Sequence, residues 1–119
     1  MVMKRLIAVS SLVLLLAVPA GAGASASTTL RISAVAAGLR YSTSHLTAHP
    51  GLVTILMTNH SPLRHDVEIK GHGVLAKGKI VGLGGVSRVS VRLKAGMYTF
   101  LCTVDSHAAA GMKGTLVVK

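Results

Sequence analysis

The chain has few aromatic residues and few acids: two Tyr, one Phe and no Trp among 119 residues, and three Asp+Glu against 13 Lys+Arg. Cations without interleaved aromatics lack the stacking platform that holds single-stranded nucleic acid, so nucleic acid is not an expected partner. A single cysteine, Cys102, excludes the internal disulfide that usually staples a small exported domain. No internal repeat, low-complexity linker or capped helical pattern follows residue 26. What remains is rich in Val, Leu, Ile and Ala, a composition that suits short strands.

The first 26 residues read as a leader and not as fold. Lys4 and Arg5 form a positive head, residues 6–20 are apolar apart from Ser10, Ser11 and Pro19, and Ala24-Ser25-Ala26 supplies an A-x-A cleavage site. That run is short for a spanning helix and fits a secretory signal peptide, cut after Ala26 or alternatively after Ala24. An uncleaved anchor is the competing reading. Residues 27–119 are then one domain, with 11 basic residues and the same three acids. The expected location is periplasmic, extracellular or at a membrane surface. The charge would draw the domain to anionic membranes, wall polymers or an acidic redox partner.

Period-two alternation dominates this domain and marks an all-β fold. Leu30, Ile32 and Ala34 alternate with Thr29, Arg31 and Ser33; Leu39 and Tyr41 with Arg40 and Ser42. Pro50-Gly51 turns the chain into a central apolar strand over 52–58. Next, His65, Val67 and Ile69 take a dry face, with Asp66, Glu68 and Lys70 on the wet one. Val89, Val91 and Leu93 alternate with Arg88, Ser90 and Arg92; Tyr98 and Phe100 share a face with Cys102; Met112, Gly114, Leu116 and Val118 line the last strand.

An odd cysteine in an oxidising compartment is a hazard unless its sulfur is used. Burial as a small hydrophobe or an intermolecular bridge would be the plain explanations. But Cys102, His107 and Met112 are gathered by one loop between two strands, and His65 stands on a core face at the mouth of a third. A thiolate, two imidazoles and a weak thioether suit copper cycling between Cu(I) and Cu(II), whereas zinc has no use for the Met. His60 lies five residues before His65 and could compete, but it falls in the 59–64 turn. His45, His49 and His72 read as solvated surface. No His-x-His pair exists, and one cysteine cannot bridge a dinuclear copper centre.

The segments 96–102, 103–107 and 111–118, with four residues from Cys to His and four from His to Met, resemble the type 1 copper motif of cupredoxins, the auracyanin-type spacing above all. Asn59 followed by His65-Asp66-Val67 resembles the family's first-ligand strand. The resemblance implies a Greek-key β-sandwich with one copper at one end, held by His65, Cys102, His107 and Met112. It also implies one-electron transfer, without enzymatic chemistry, through the solvent edge of His107. Redox proteins would dock there, on a flat rim formed by Ala108-Ala109-Ala110, with the chain acting as a monomer. Two departures stand out: Asp66 where the family commonly has Asn after the first His, and Asp105-Ser106 where Pro-Gly is frequent. If the second position needs a positive φ, Ser106 would carry strain. A copper-handling protein without redox shuttling is the alternative function; a metal-free interaction module is a third. Handling proteins favour exposed Met- or His-rich clusters, and none is present.

Overall fold

The computed structural model describes residues 2–3, 8–9, 13–14, 16 and 26–119. The leader expected over 1–26 lies outside the described residues except at these scattered positions. Among the described residues, no helix is long and apolar enough to cross a membrane.

Among the described residues, eight strands form two sheets: β1 (Ser27–Ala34), β2 (His45–Ala48), β3 (Gly51–Asn59), β4 (Glu68–Gly71), β5 (Val74–Lys77), β6 (Val86–Leu93), β7 (Gly96–Leu101) and β8 (Lys113–Val118). One sheet has the order β1-β3-β6, the other β2-β8-β7-β4-β5. The chain passes between sheets repeatedly, as in a Greek key. Those crossings leave two parallel pairs, β1 with β3 and β2 with β8. The remaining ladders are antiparallel.

Alternation drives the packing. Ile32, Ile55, Met57 and Val89 from one sheet meet Ile69, Tyr98, Phe100 and Leu116 from the other, all buried. Phe100 is fully buried, and burial of such a side chain contributes roughly 1.5–3 kcal/mol. Its ring lies tightly against β8 because residue 114 is glycine: a Cβ there would collide with Phe100 Cζ and with the Ser44 carbonyl. Tyr98 closes the β6–β7 corner by donating its hydroxyl to the Lys94 carbonyl at 2.9 Å.

The two poles of the sandwich differ. One gathers the end of β3, the end of β7 and the start of β8, and it carries the candidate ligands. At the other, Ser27 pairs with Leu52, Gly51 with Leu93 and Gly96 with Val118. There the Leu52 N–H donates to the Ala26 carbonyl at 3.1 Å. Gly51, at φ +131°, lets that carbonyl come close.

Three strand expectations need correction. Residues 39–42 form no strand: only an isolated bridge joins Tyr41 to Ala34, because the chain turns at Gly38, φ +92°. The strand expected from His65 begins at Glu68, and His65 itself holds a single bridge to Val81. Asp66 is fully buried and not on a wet face. Strands β2 and β5, absent from the alternation reading, are four residues long and lie at sheet edges. Edge strands bury too little to print a strong period.

Candidate metal centre

The first ligand candidate arrives on a short extended segment. His65 and Val81 exchange backbone hydrogen bonds of 3.1 and 2.9 Å, and the Gly78 N–H donates to the Val67 carbonyl at 2.9 Å. Residues 78–81 therefore run antiparallel beside 65–67. Asn59, buried at the end of β3, organises the turn before it. Its Nδ2 donates to the Leu63 and Val81 carbonyls at 2.8 and 3.0 Å, and its Oδ1 accepts from the Ser61 N–H at 2.8 Å.

The other candidates come from the loop between β7 and β8. The Cys102 N–H donates to the Met112 carbonyl at 3.1 Å, the Met112 N–H to the His107 carbonyl at 3.0 Å, and the His107 N–H to the Val104 carbonyl at 3.1 Å. The loop thus ties its three candidates together through its own backbone. The left-handed residue is Asp105, φ +44°, and not Ser106. Asp tolerates that region better than most non-glycine residues.

These elements bring His65, Cys102 and His107 together, their ligand atoms all within 4.8 Å of one another. It is the one such His, Cys, Asp or Glu group among the described residues. Cys102 Sγ lies 3.7 Å from His65 Nδ1 and 3.7 Å from His107 Nδ1. A metal–thiolate bond of about 2.3 Å and a metal–imidazole bond of about 2.0–2.1 Å, opened to a trigonal angle, would separate sulfur and nitrogen by roughly 3.8 Å. Both edges match that value, so the three residues fit a His₂Cys metal site. Met112 is fully buried and joined to both loop candidates by backbone. His45, His49, His60 and His72 are exposed and outside the group.

Asp66 takes a role that alternation could not show. Its Oδ1 accepts the Thr103 N–H at 2.7 Å and its Oδ2 accepts the Thr103 hydroxyl at 2.5 Å. The Tyr41 hydroxyl donates to the Asp66 carbonyl at 2.6 Å. The residue after the first ligand is thereby tied to the residue after the cysteine. Tyr41, Asn59 and Thr103 were not singled out for such roles by sequence; only Asn59, through the resemblance, carried a hint.

Burial sets the electrostatics. It holds the His65 imidazole below its usual value, with repulsion from His107 adding and Asp66 opposing. It pushes the Cys102 thiol up, although the backbone N–H groups of Asp66 and Val104 act the other way by favouring thiolate. Neutral imidazole is ready to coordinate, while the thiol must surrender a proton to any ion. His65 Nε2 has no hydrogen-bond partner, so backbone and packing orient that ring. His65 is sealed, whereas His107 keeps 9% of its surface exposed. It borders a shallow cavity of about 350 Å³ with Leu63, Arg64, Ile80, Val104 and Asp105. Beside it, Ala109 and Ala110 are exposed and Ala108 is half-buried.

Comparison with solved structures gives the same architecture. Reduced auracyanin from the photosynthetic bacterium Roseiflexus castenholzii is 27% identical, with a TM-score of 0.71 over 82% of this chain and 99% of that one. Auracyanin A, a blue copper protein from Chloroflexus aurantiacus, shares the fold at 22% identity and a TM-score of 0.70, covering 79% of this chain and all of that one. A reduced Cu(I) amicyanin variant, 21% identical over 76% of this chain and 82% of that one, is a more distant likeness at 0.57. No curated protein matches the chain. The cupredoxin-like domain model matches residues 6–118, and the chain belongs to that family.

Proposed function

We propose that this protein is a mononuclear type 1 copper protein that carries single electrons outside the cytoplasm, with His65, Cys102, His107 and Met112 as ligands. The observation that carries the reading is the pair of equal 3.7 Å separations from Cys102 Sγ to two imidazole Nδ1 atoms in a buried pocket. Family membership and the auracyanin likeness support it. Copper held by such a set would supply a reversible one-electron couple, tuned by the Met112 thioether and the polarity around the Cys102 sulfur.

The chain's own work is to hold geometry. Backbone bonds within 102–112 fix the loop, and Asp66 with Thr103 locks it to the His65 segment. A pocket fixed from both sides needs little rearrangement when one charge is added or removed. The backbone N–H groups of Asp66 and Val104 favour thiolate at Cys102, and hydrogen bonding of that kind tempers the sulfur's electron density. Burial of His65, Cys102 and Met112 excludes water. The exposed edge of His107 is the short path for an electron. Closure of this kind is unsuited to handing over a metal ion.

Copper titration of the protein, followed by visible absorption and electron paramagnetic resonance, tests this. The expected result is a strong thiolate-to-copper band, bleached by reductant and absent in Cys102→Ser. Copper binding without that band would refute the type 1 assignment.

A further inference from the structure

We propose that the surface running from the His107 edge across Arg64 and Ile80 to Lys77, Lys79 and Arg88 is the docking face for a redox protein with a carboxylate-rich surface. The inference rests on the electron-carrier reading above and adds the chemistry of the partner.

Two cavities meet on this face. The smaller contains His107; the larger, of about 700 Å³, is lined by Arg64, Lys77, Lys79 and Arg88 and by no acid. They share Arg64 and Ile80. The fold puts the cations there for a structural reason. Residues 78–81 must run beside 65–67 to bridge His65, so Lys77 and Lys79 are carried along the first ligand segment. Gly78 packs against Ser87 and the Arg88 backbone, too closely for any side chain, which draws β6 and its Arg88 to the same groove.

The two acids nearby do not balance these charges. Asp105 lines the His107 cavity, and Glu68 stands opposite Lys77 in the β4–β5 ladder. Between charge and port lie Leu63, 51% exposed, and Ile80, 40% exposed. A dry strip beside a charged rim is the anatomy of a transient interface. The rim steers encounter and sets orientation, while the strip excludes water where the electron crosses. The apolar strip lies directly against the His107 edge, where an electron must reach a second redox centre, which a carboxylate-bearing protein can hold and a lipid headgroup cannot. A second basic groove, with His45, Lys70 and Lys113, borders Ala108 and Ala109 but not His107. With copper bound, the docked pair would pass one electron from the reduced site to an oxidised centre in the partner, the site losing and the partner gaining that electron, with no atom or proton transferred.

The test uses the copper-loaded protein. In its Cu(I) form, the redox-inert trianion hexacyanochromate(III) is expected to broaden the amide resonances of Arg64, 77–80 and Arg88 first. Broadening centred on His45, Lys70 and Lys113, or spread evenly, overturns the face. Oxidation by hexacyanoferrate(III) at low ionic strength should slow about tenfold in K77E/K79E. In K94E/K119E, whose charges sit at the opposite pole, it should slow less than about twofold, and salt should close the gap. Equal slowing by both pairs overturns the proposal. Poly-L-glutamate should inhibit the oxidation of the unmodified protein and not that of K77E/K79E. If vesicles rich in phosphatidylglycerol bind through these lysines and poly-L-glutamate does not, the occupant is a membrane and the protein-docking proposal fails. Absence of the strong visible band would sink the electron-carrier reading itself; a normal band with indistinguishable lysine pairs sinks only the docking face.

Discussion

The two segments that meet at the metal centre are built on opposite principles. Residues 102–112 are held mainly by bonds within the loop: Cys102 to Met112, Met112 to His107, His107 to Val104. The His65 segment is held mainly by groups remote in sequence, namely Val81, Tyr41 and Thr103, with Asn59 clamping the turn before it to Val81. One half of the pocket is therefore a local motif and the other a product of the whole fold. Asp66 is the joint between them, and its loss should expose the difference.

Asp66→Ala should have the largest effect. It leaves the half-buried Thr103 N–H and hydroxyl without partners, at about 1–2 kcal/mol each. Denaturant unfolding of the apoprotein should show a loss of about 3 kcal/mol, with copper retained more weakly. A loss under about 1 kcal/mol would mean that the loop stands alone. Tyr41→Phe removes the hydrogen bond to the Asp66 carbonyl and should cost about 1–2 kcal/mol, with little change in the visible band.

Asp66→Asn sharpens the comparison by separating the tie from its charge. An amide oxygen can still accept the Thr103 N–H, and the hydroxyl can turn to accept from the amide. Stability should change by less than about 1 kcal/mol. Removing a buried negative charge beside the site favours the reduced ion, so cyclic voltammetry should show the potential rising by roughly 50–100 mV, where 59 mV corresponds to about 1.4 kcal/mol. An unchanged potential would show that the carboxylate charge is not felt by the site.

Titration of the apoprotein probes the sealed histidine. Burial lowers His65 from its ordinary 6.5 in the folded state, so the unfolded chain takes up that proton first. Its contribution is complete above about 6.5 and lost as pH falls toward the folded value. Unfolding free energy measured against pH should decline in that window, and His65→Gln should flatten the decline. The smallest effect belongs to the self-contained loop. Asp105→Gly relieves the left-handed backbone but frees the unfolded chain, leaving a net change under about 0.5 kcal/mol by thermal unfolding.

This division also explains what could be read from sequence. The strands that bury a full face, such as β3 and β6, print their alternation, and the all-β class follows from them. The ligand loop is legible because cysteine, histidine and methionine stand at fixed short intervals between such strands. Asp66 was misplaced because the period-two rule presumes a continuous strand, and the ladder does not begin until Glu68. Its partners Tyr41 and Thr103 lie 25 and 37 residues away, and no local pattern encodes such a pairing. The positive φ expected at Ser106 falls on Asp105, since spacing shows that the loop must turn without showing at which residue.

The placement of the first strand has an architectural consequence. β1 enters its sheet at Ser27, at the pole opposite the ligands, and its eight residues span roughly 26 Å. A segment joined to Ser27 pulls on the closed pole and leaves the His107 pole leading, like a lamp held by its base. Were the chain cut, the position would matter: a break after Ala24 would keep the Ala26 carbonyl as the acceptor for Leu52, whereas a break after Ala26 would remove that clasp. Removal of a leader at one site or the other would thus give different closures of the same sandwich end, and the intact mass of the protein would tell them apart.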